Sequence, residues 1–226
     1  MFIPAAELQK AINDPLVRAL LSPILNQKSN IKSFDGFSAV DLTGLVSNLP
    51  SELSEPVDAT ARQLTGENPL ANEKLLRDGD IVLGSHVVNF MTWGRYNHVA
   101  IVTDAAHGKL IESTAKLFTD KPGVRTTDWK TFASPYAHVG IVRLRGATAE
   151  QLARVIRWAQ AREGTSYRWP IVQGLNKMDQ SRFYCSQLVW LAYKEALDID
   201  LDFDGGDLVF PDDLYYSEKY VDKIVP

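Results

Sequence analysis

From Asp78 onward the chain is written in short, β-rich runs separated by turn formers, and this change of texture limits the possible fold more than any other feature. Asp80-Ile-Val-Leu-Gly84, Asn97-His-Val-Ala-Ile-Val-Thr103 and Lys109-Leu-Ile-Glu-Ser113 are strand-length runs bounded by Gly, Asp and Asn. A further strand is expected from Ala137 to Leu144. Helical signals follow. Thr148-Ala-Glu-Gln151 fits a capping box opening a helix with Leu152, Val155, Ile156 and Ala159 on its inner face, closed near Gly164. A last helix is expected from about Tyr184 to Leu197. Strands grouped ahead of helices imply a small antiparallel sheet with packed helices, an α+β arrangement.

The preceding part has a different character. Leu8, Ile12, Leu16, Leu20 and Ile24 recur at helical spacing, with Pro15 splitting the stretch into two short helices. Residues 26 to 72 mix brief apolar patches with glycine and proline and show no repeat. The expected organisation is an N-terminal helical extension over 1–72 and a catalytic domain over 73–226. With 226 residues, 45% hydrophobic, the chain can bury one substantial core but is short for two full-sized domains.

Composition excludes several classes of function. Lysine and arginine total 24 against 28 acids, and no basic run is long enough to track a phosphate backbone, so nucleic acid is not an expected partner. No apolar run reaches the roughly 18 residues that span a bilayer, and no transmembrane segment is expected. The start, Met1-Phe-Ile-Pro4 followed by Glu7, lacks the basic region and cleavage site of a signal peptide, so synthesis in the cytoplasm without a leader is the expectation. The single cysteine rules out an intramolecular disulfide and every multi-cysteine metal site. There is no G-x-S-x-G elbow, no phosphate-binding glycine loop and no histidine pair at helical metal-ligand spacing, so neither metal nor cofactor is expected.

That cysteine, Cys185, falls at the start of the helix Tyr184-Cys-Ser-Gln-Leu-Val-Trp-Leu-Ala-Tyr193. Unpaired backbone N–H groups and the helix dipole favour negative charge there and could donate to an oxyanion. Cys185 also aligns with Leu188, Val189 and Ala192 on an apolar face, where a buried, inert thiol is ordinary. A thiol nucleophile needs a base. His98 shares a strand face with Ala100 and Val102, and a hairpin through Asp104 to Gly108 could bring Glu112 beside it to fix the ring's tautomer. Ala137-His-Val-Gly-Ile-Val142 repeats the His98 pattern almost residue for residue, and spacing alone does not separate the two. His98 is preferred because a strand bearing a carboxylate follows it, whereas His138 is followed by Arg143, Arg145 and a helix. His86 and His107 read as strand or turn residues. Trp93, Tyr96, Trp129, Trp169 and Phe183 flank the candidate site in sequence, as core or as substrate wall.

The order of motifs, Asp78-Gly-Asp-Ile-Val-Leu83, Asn97-His-Val-Ala-Ile-Val102, Leu110-Ile-Glu-Ser113, Tyr184-Cys-Ser-Gln-Leu-Val189 and Phe210-Pro-Asp-Asp-Leu214, resembles the circularly permuted branch of the NlpC-type papain-like cysteine hydrolases. That branch includes YiiX/YebB-like bacterial proteins and, more distantly, lecithin:retinol acyltransferase-like enzymes. The resemblance covers roughly residues 75 to 220. It implies a small antiparallel β-barrel packed against the cysteine helix, with Cys185 as nucleophile, His98 as base and Glu112 as the third polar residue. It also implies hydrolysis of amide bonds in peptidoglycan stem peptides. Alternatives within and beyond the resemblance are a lipid acyltransferase or thioesterase using the same cysteine, and a non-catalytic interaction domain. A wall hydrolase without a leader would need another export route, as an antibacterial effector of type VI-like secretion would have, with a secretion carrier and an immunity protein as partners.

Overall fold

The structure, a computed structural model, describes residues 68–86, 94–115, 121–169 and 176–226. Nearly all of the N-terminal extension, and Trp93 with it, lies outside the described residues. Its last part belongs to a 3-10 turn over Pro69–Leu75.

Among the described residues six strands follow, β1 (Ile81–Ser85), β2 (His98–Asp104), β3 (Lys109–Thr114), β4 (Gly123–Asp128), β5 (His138–Leu144) and β6 (Val221–Val225). The helices among the described residues are α1 (Trp129–Ala133), α2 (Ala149–Gln160), α3 (Cys185–Leu197) and α4 (Pro211–Tyr216). The capping box is present at the head of α2, where Thr148 N donates to Gln151 Oε1 at 2.8 Å and Gln151 N to Thr148 Oγ1 at 3.2 Å. The hairpin between β2 and β3 turns as its residues dictate. Asp104 accepts from His107 N, and Gly108 takes the left-handed conformation at φ 58°.

The strands form one antiparallel sheet in the order β4-β3-β2-β1-β5-β6. It is open, with β4 and β6 at opposite edges, and corrects the expected closed barrel. The segment leaving α2 supplies a physical reason. Val124 N donates to Thr165 O at 2.8 Å, Gly164 N to Val124 O at 2.8 Å and Thr126 N to Glu163 Oε1 at 2.9 Å, so part of the outer edge of β4 is occupied by this segment.

Alternation divides the core into two layers. Ile81, Leu83, Val99, Ile101 and Ile111 pack with Val155 and Ala159 of α2 and with Leu188, Leu191 and Ala192 of α3. Val82, Ala100, Val102 and Leu110 pack with Trp129, Phe132 and Ala133 on the other side. Tyr96, Trp129 and Phe183 are fully buried, which assigns these sequence-flagged aromatics to the core.

The Asp78-Gly-Asp80 turn ties both layers together. Asp78 Oδ1 accepts from Ala105 N, and the Tyr193 hydroxyl of α3 donates to Gly79 O. Asp80 is fully buried and receives Arg143 Nε at 2.7 Å, Arg143 Nη2 at 2.8 Å and Arg77 N at 2.8 Å. Removing the carboxylate leaves the guanidinium without its partner in a largely desolvated position. Asp80→Ala is therefore expected to cost about 3 to 5 kcal/mol in urea unfolding, and a loss below about 1 kcal/mol would show that the pair behaves like an exposed one.

Candidate active site

The site is assembled by strand register. Ala100 of β2 pairs with Glu112 of β3, which in turn pairs with Arg125 of β4, and His98 lies two residues from Ala100 on the same face. Glu112 therefore meets one cation-forming side chain from each neighbouring strand. Its Oε2 lies 2.6 Å from His98 Nε2, while its Oε1 receives Arg125 Nη2 at 2.8 Å and Arg125 Nε at 3.0 Å. The carboxylate side chain is 5% exposed and the imidazole 15%.

Cys185 opens α3, which packs along β2 and β3. Its hydrogen bonding and charge act on His98 and raise it. The imidazole is thus engaged on two sides. Rings from α1 and the turn after it flank it, Phe132 at 5.7 Å and Tyr136 at 6.5 Å between centroids.

The ionisation of these groups follows from their surroundings. Burial is the largest influence on His98 and favours the neutral ring, but hydrogen bonds that the protonated ring donates to Cys185 and Glu112, with their charges, outweigh it and raise His98 to about 10. Burial likewise pushes the Glu112 carboxyl up, and the His98 and Arg125 contacts reverse this, holding it below the usual carboxylate range.

Polar clamps hold the head of α3 in place. Ser113, next to Glu112, donates through Oγ to Phe183 O at 2.7 Å, two residues ahead of the cysteine. Gln187 is fully buried; its Oε1 accepts from Tyr184 N, and its Nε2 donates to Lys177 O at 2.9 Å and Asp179 O at 2.8 Å. Ser186 Oγ donates to Val209 O at 2.7 Å, and Val209 N to the Tyr184 hydroxyl at 3.1 Å. Tyr167 forms a parallel bridge with Phe183; burial and then the Cys185 charge push its phenol up.

A second clamp fixes the entry to β2. Asp212 in α4 accepts from Arg95 N at 2.7 Å and Tyr96 N at 2.9 Å. A Cβ on Gly94 would stand 2.1 Å from Asp212 Oδ2, so a side chain there would push the carboxylate out of this clamp. The Phe210-Pro-Asp-Asp motif thus acts on the strand that carries His98, a contact invisible to local sequence patterns.

The two histidine strands, equivalent in sequence, part company here. His138 pairs across from Ser85, and its Nε2 lies 3.5 Å from the Tyr96 hydroxyl, while His98 holds the position beside Glu112 and Cys185. His107 sits in the hairpin turn against Asp104 at 2.7 Å, and His86 packs on Tyr136. Arg125 was not anticipated, because β4 itself went unread. Its β-branched run Val124-Arg-Thr-Thr127 was the available signal.

Among the described residues, one carboxylate group has the spacing to hold a cation: Asp202, Asp204 and Asp213, with ligand oxygens within 4.8 Å of one another. Lys177 already forms an ion pair with Asp202. Burial, then the charges of Asp204, Asp202 and Asp212, opposed by the hydrogen bond from Phe210 N, raise Asp213 to about 6.

A cysteine at the head of a helix, facing a strand histidine that leans on a carboxylate, is the arrangement of the papain-like class, here with the histidine strand ahead of the cysteine helix in the chain. A family model described as permuted papain-like amidase enzyme, YaeF/YiiX, C92 family, matches residues 75–204, and the chain belongs to that family. It is similar to YycO of Bacillus subtilis (strain 168), an uncharacterized protein, at 28% identity over 130 residues. That match covers 58% of this chain and 50% of YycO, so the chain spans about half the length of this curated relative. Among solved structures it is similar to metalloprotein yiiX from Escherichia coli O157:H7, with a TM-score of 0.47 and 15% identity over 66% of this chain and 96% of that one. Among the described residues no helix is long and apolar enough to cross a membrane.

The raised His98 value has a definite consequence for stability. Because the folded value, about 10, exceeds the ordinary 6.5, the contribution of His98 is fully present below pH 6.5, erodes above it, and is lost as pH rises through about 10. Denaturant unfolding of the wild type and His98→Gln should therefore show the largest stability difference below pH 6.5 and a shrinking one toward pH 10. A difference that grows with pH would contradict this assignment.

Proposed function

We propose that the chain is a cysteine hydrolase that cleaves amide bonds of peptidoglycan stem peptides, with Cys185 as nucleophile, His98 as base and Glu112 orienting the base. The observation that carries this reading is the bond of 2.6 Å between Glu112 and a His98 ring that also reaches the Cys185 thiol. Membership of a permuted papain-like amidase family supports amide chemistry, and the stem peptide is the substrate that the motif order implies.

In this mechanism His98, raised to about 10, already holds the thiol proton in the resting pair, and Cys185 Sγ forms a bond to the scissile carbonyl carbon as the thiolate. The carbonyl oxygen becomes an oxyanion, with N–H groups at the start of α3 as donors. Imidazolium then gives its proton to the leaving amine, the C–N bond breaks, and a thioester remains on Cys185. Water, deprotonated by His98, attacks the thioester and releases the carboxylic acid and the free thiol. Glu112 holds the ring and balances its charge while it is cationic.

Digestion of purified muropeptides followed by mass spectrometry tests the reading. New amine and acid ends within the stem peptide are expected from the wild type, and none from Cys185→Ala. Intact stem peptides throughout would exclude the peptidoglycan substrate, and turnover by pure Cys185→Ala would exclude the nucleophile. Within the same assay His98→Ala should cut turnover by at least about a hundredfold, whereas His138→Ala should change stability more than rate. Glu112→Gln should be less damaging than loss of either partner, since an amide still orients the ring.

A further inference from the structure

We propose that Arg125 is a positioning residue of this site: the permanent counter-ion that keeps Glu112 ionised and aimed at His98 when the imidazole is neutral. The inference rests on the cysteine-hydrolase reading above.

The case begins with what a buried carboxylate needs. Glu112 lies among apolar strands at 4% exposure, where a lone negative charge is costly and its side chain has several torsions to choose from. It is faced by His98 from β2 and Arg125 from β4, and its neighbour Ser113 turns away to Phe183 O. Of these two partners only one is constant. The His98 ring passes through its neutral form each time it gives up the proton taken from the thiol or water. A guanidinium stays charged throughout. Without Arg125, Glu112 would face every such interval as an uncompensated buried anion, and proton uptake or rotation would relieve it.

The geometry also divides the work between the two carboxylate oxygens. Both Arg125 contacts fall on Oε1, at 2.8 and 3.0 Å, and Oε2 is left for His98 at 2.6 Å. A fork on one oxygen fixes the rotation of the carboxyl group, so the other is held toward the imidazole. The cross-strand pairing Glu112↔Arg125 brings the two backbones into register for this. Arg125 is 27% exposed, so it can be replaced without opening a large cavity.

The test uses Cys185 alkylation by iodoacetamide as a function of pH, which needs no identified substrate, together with thermal unfolding. In Arg125→Met, Glu112 loses a charge that favours its ionised form, so the acid limb of the alkylation profile should move up by about one pH unit. Arg125→Lys keeps the charge and should stay near the wild-type limb. Its stem-peptide turnover should nevertheless fall by about tenfold, because an ammonium cannot reproduce the fork. A profile for Arg125→Met that superimposes on the wild type, with only the melting temperature lowered, would make Arg125 a structural residue and overturn the proposal. If Arg125→Met does not fold, Arg125→Gln removes the same charge and is read in the same way. His98→Ala separates the two levels of inference. If it leaves the alkylation profile unchanged, the cysteine-hydrolase reading fails. If it shifts the profile while both neutral Arg125 variants do not, the positioning role alone fails.

Discussion

A slip of one residue between β2 and β3 would turn Glu112 to the opposite face of the sheet and remove it from His98, so the site depends first on strand register. Two things set that register. The apolar alternation of Ala100 and Val102 against Leu110 gives one face a core to bury, and the turn at Asp104 to Gly108, with its left-handed glycine, fixes the offset. The same alternation on β4 brings Arg125 to the same side as Glu112. The polar site is therefore placed by apolar packing and turn geometry as much as by its own polar contacts.

The cysteine helix needs separate fixing, because the apolar face it shares with the sheet specifies contact area more strongly than axial position. Ser113, Gln187 and Ser186 supply the axial constraint through hydrogen bonds to main-chain groups on either side of Cys185. Each such bond is worth only about 0.5 to 1.5 kcal/mol net, but leaving a buried member unpaired costs about 1 to 3, so directionality matters more here than total strength. Clamps of this kind restrict movement without adding bulk.

Most of the architecture was legible because it rests on local rules. The capping box at Thr148, the hairpin turn and the start of the cysteine helix are written in consecutive residues. The meeting of His98 with Glu112 was legible for a related reason, as the two strands are joined by a short turn. What escaped was non-local or weakly patterned. β4 is rich in polar residues, and β6 pairs with β5 across a long excursion of the chain, so neither announces itself. The open sheet was missed because edge pairing by residues 163–165 leaves no periodic trace. The choice between two nearly identical histidine strands turned on the next strand along, not on either strand itself.

The Asp212 clamp joins residues 116 and 117 positions apart in the chain, Tyr96 and Arg95. Contacts of such span form late, since the chain between them must already be organised before they offset their loop-closure entropy. The approach to the histidine strand consequently depends on a residue more than a hundred positions further along the chain. As the nascent chain folds, the hairpin that carries the imidazole and carboxylate can assemble well before the segment that locks its entrance has been synthesised. The entrance to the histidine strand is thus secured only by a segment near the far end of the domain.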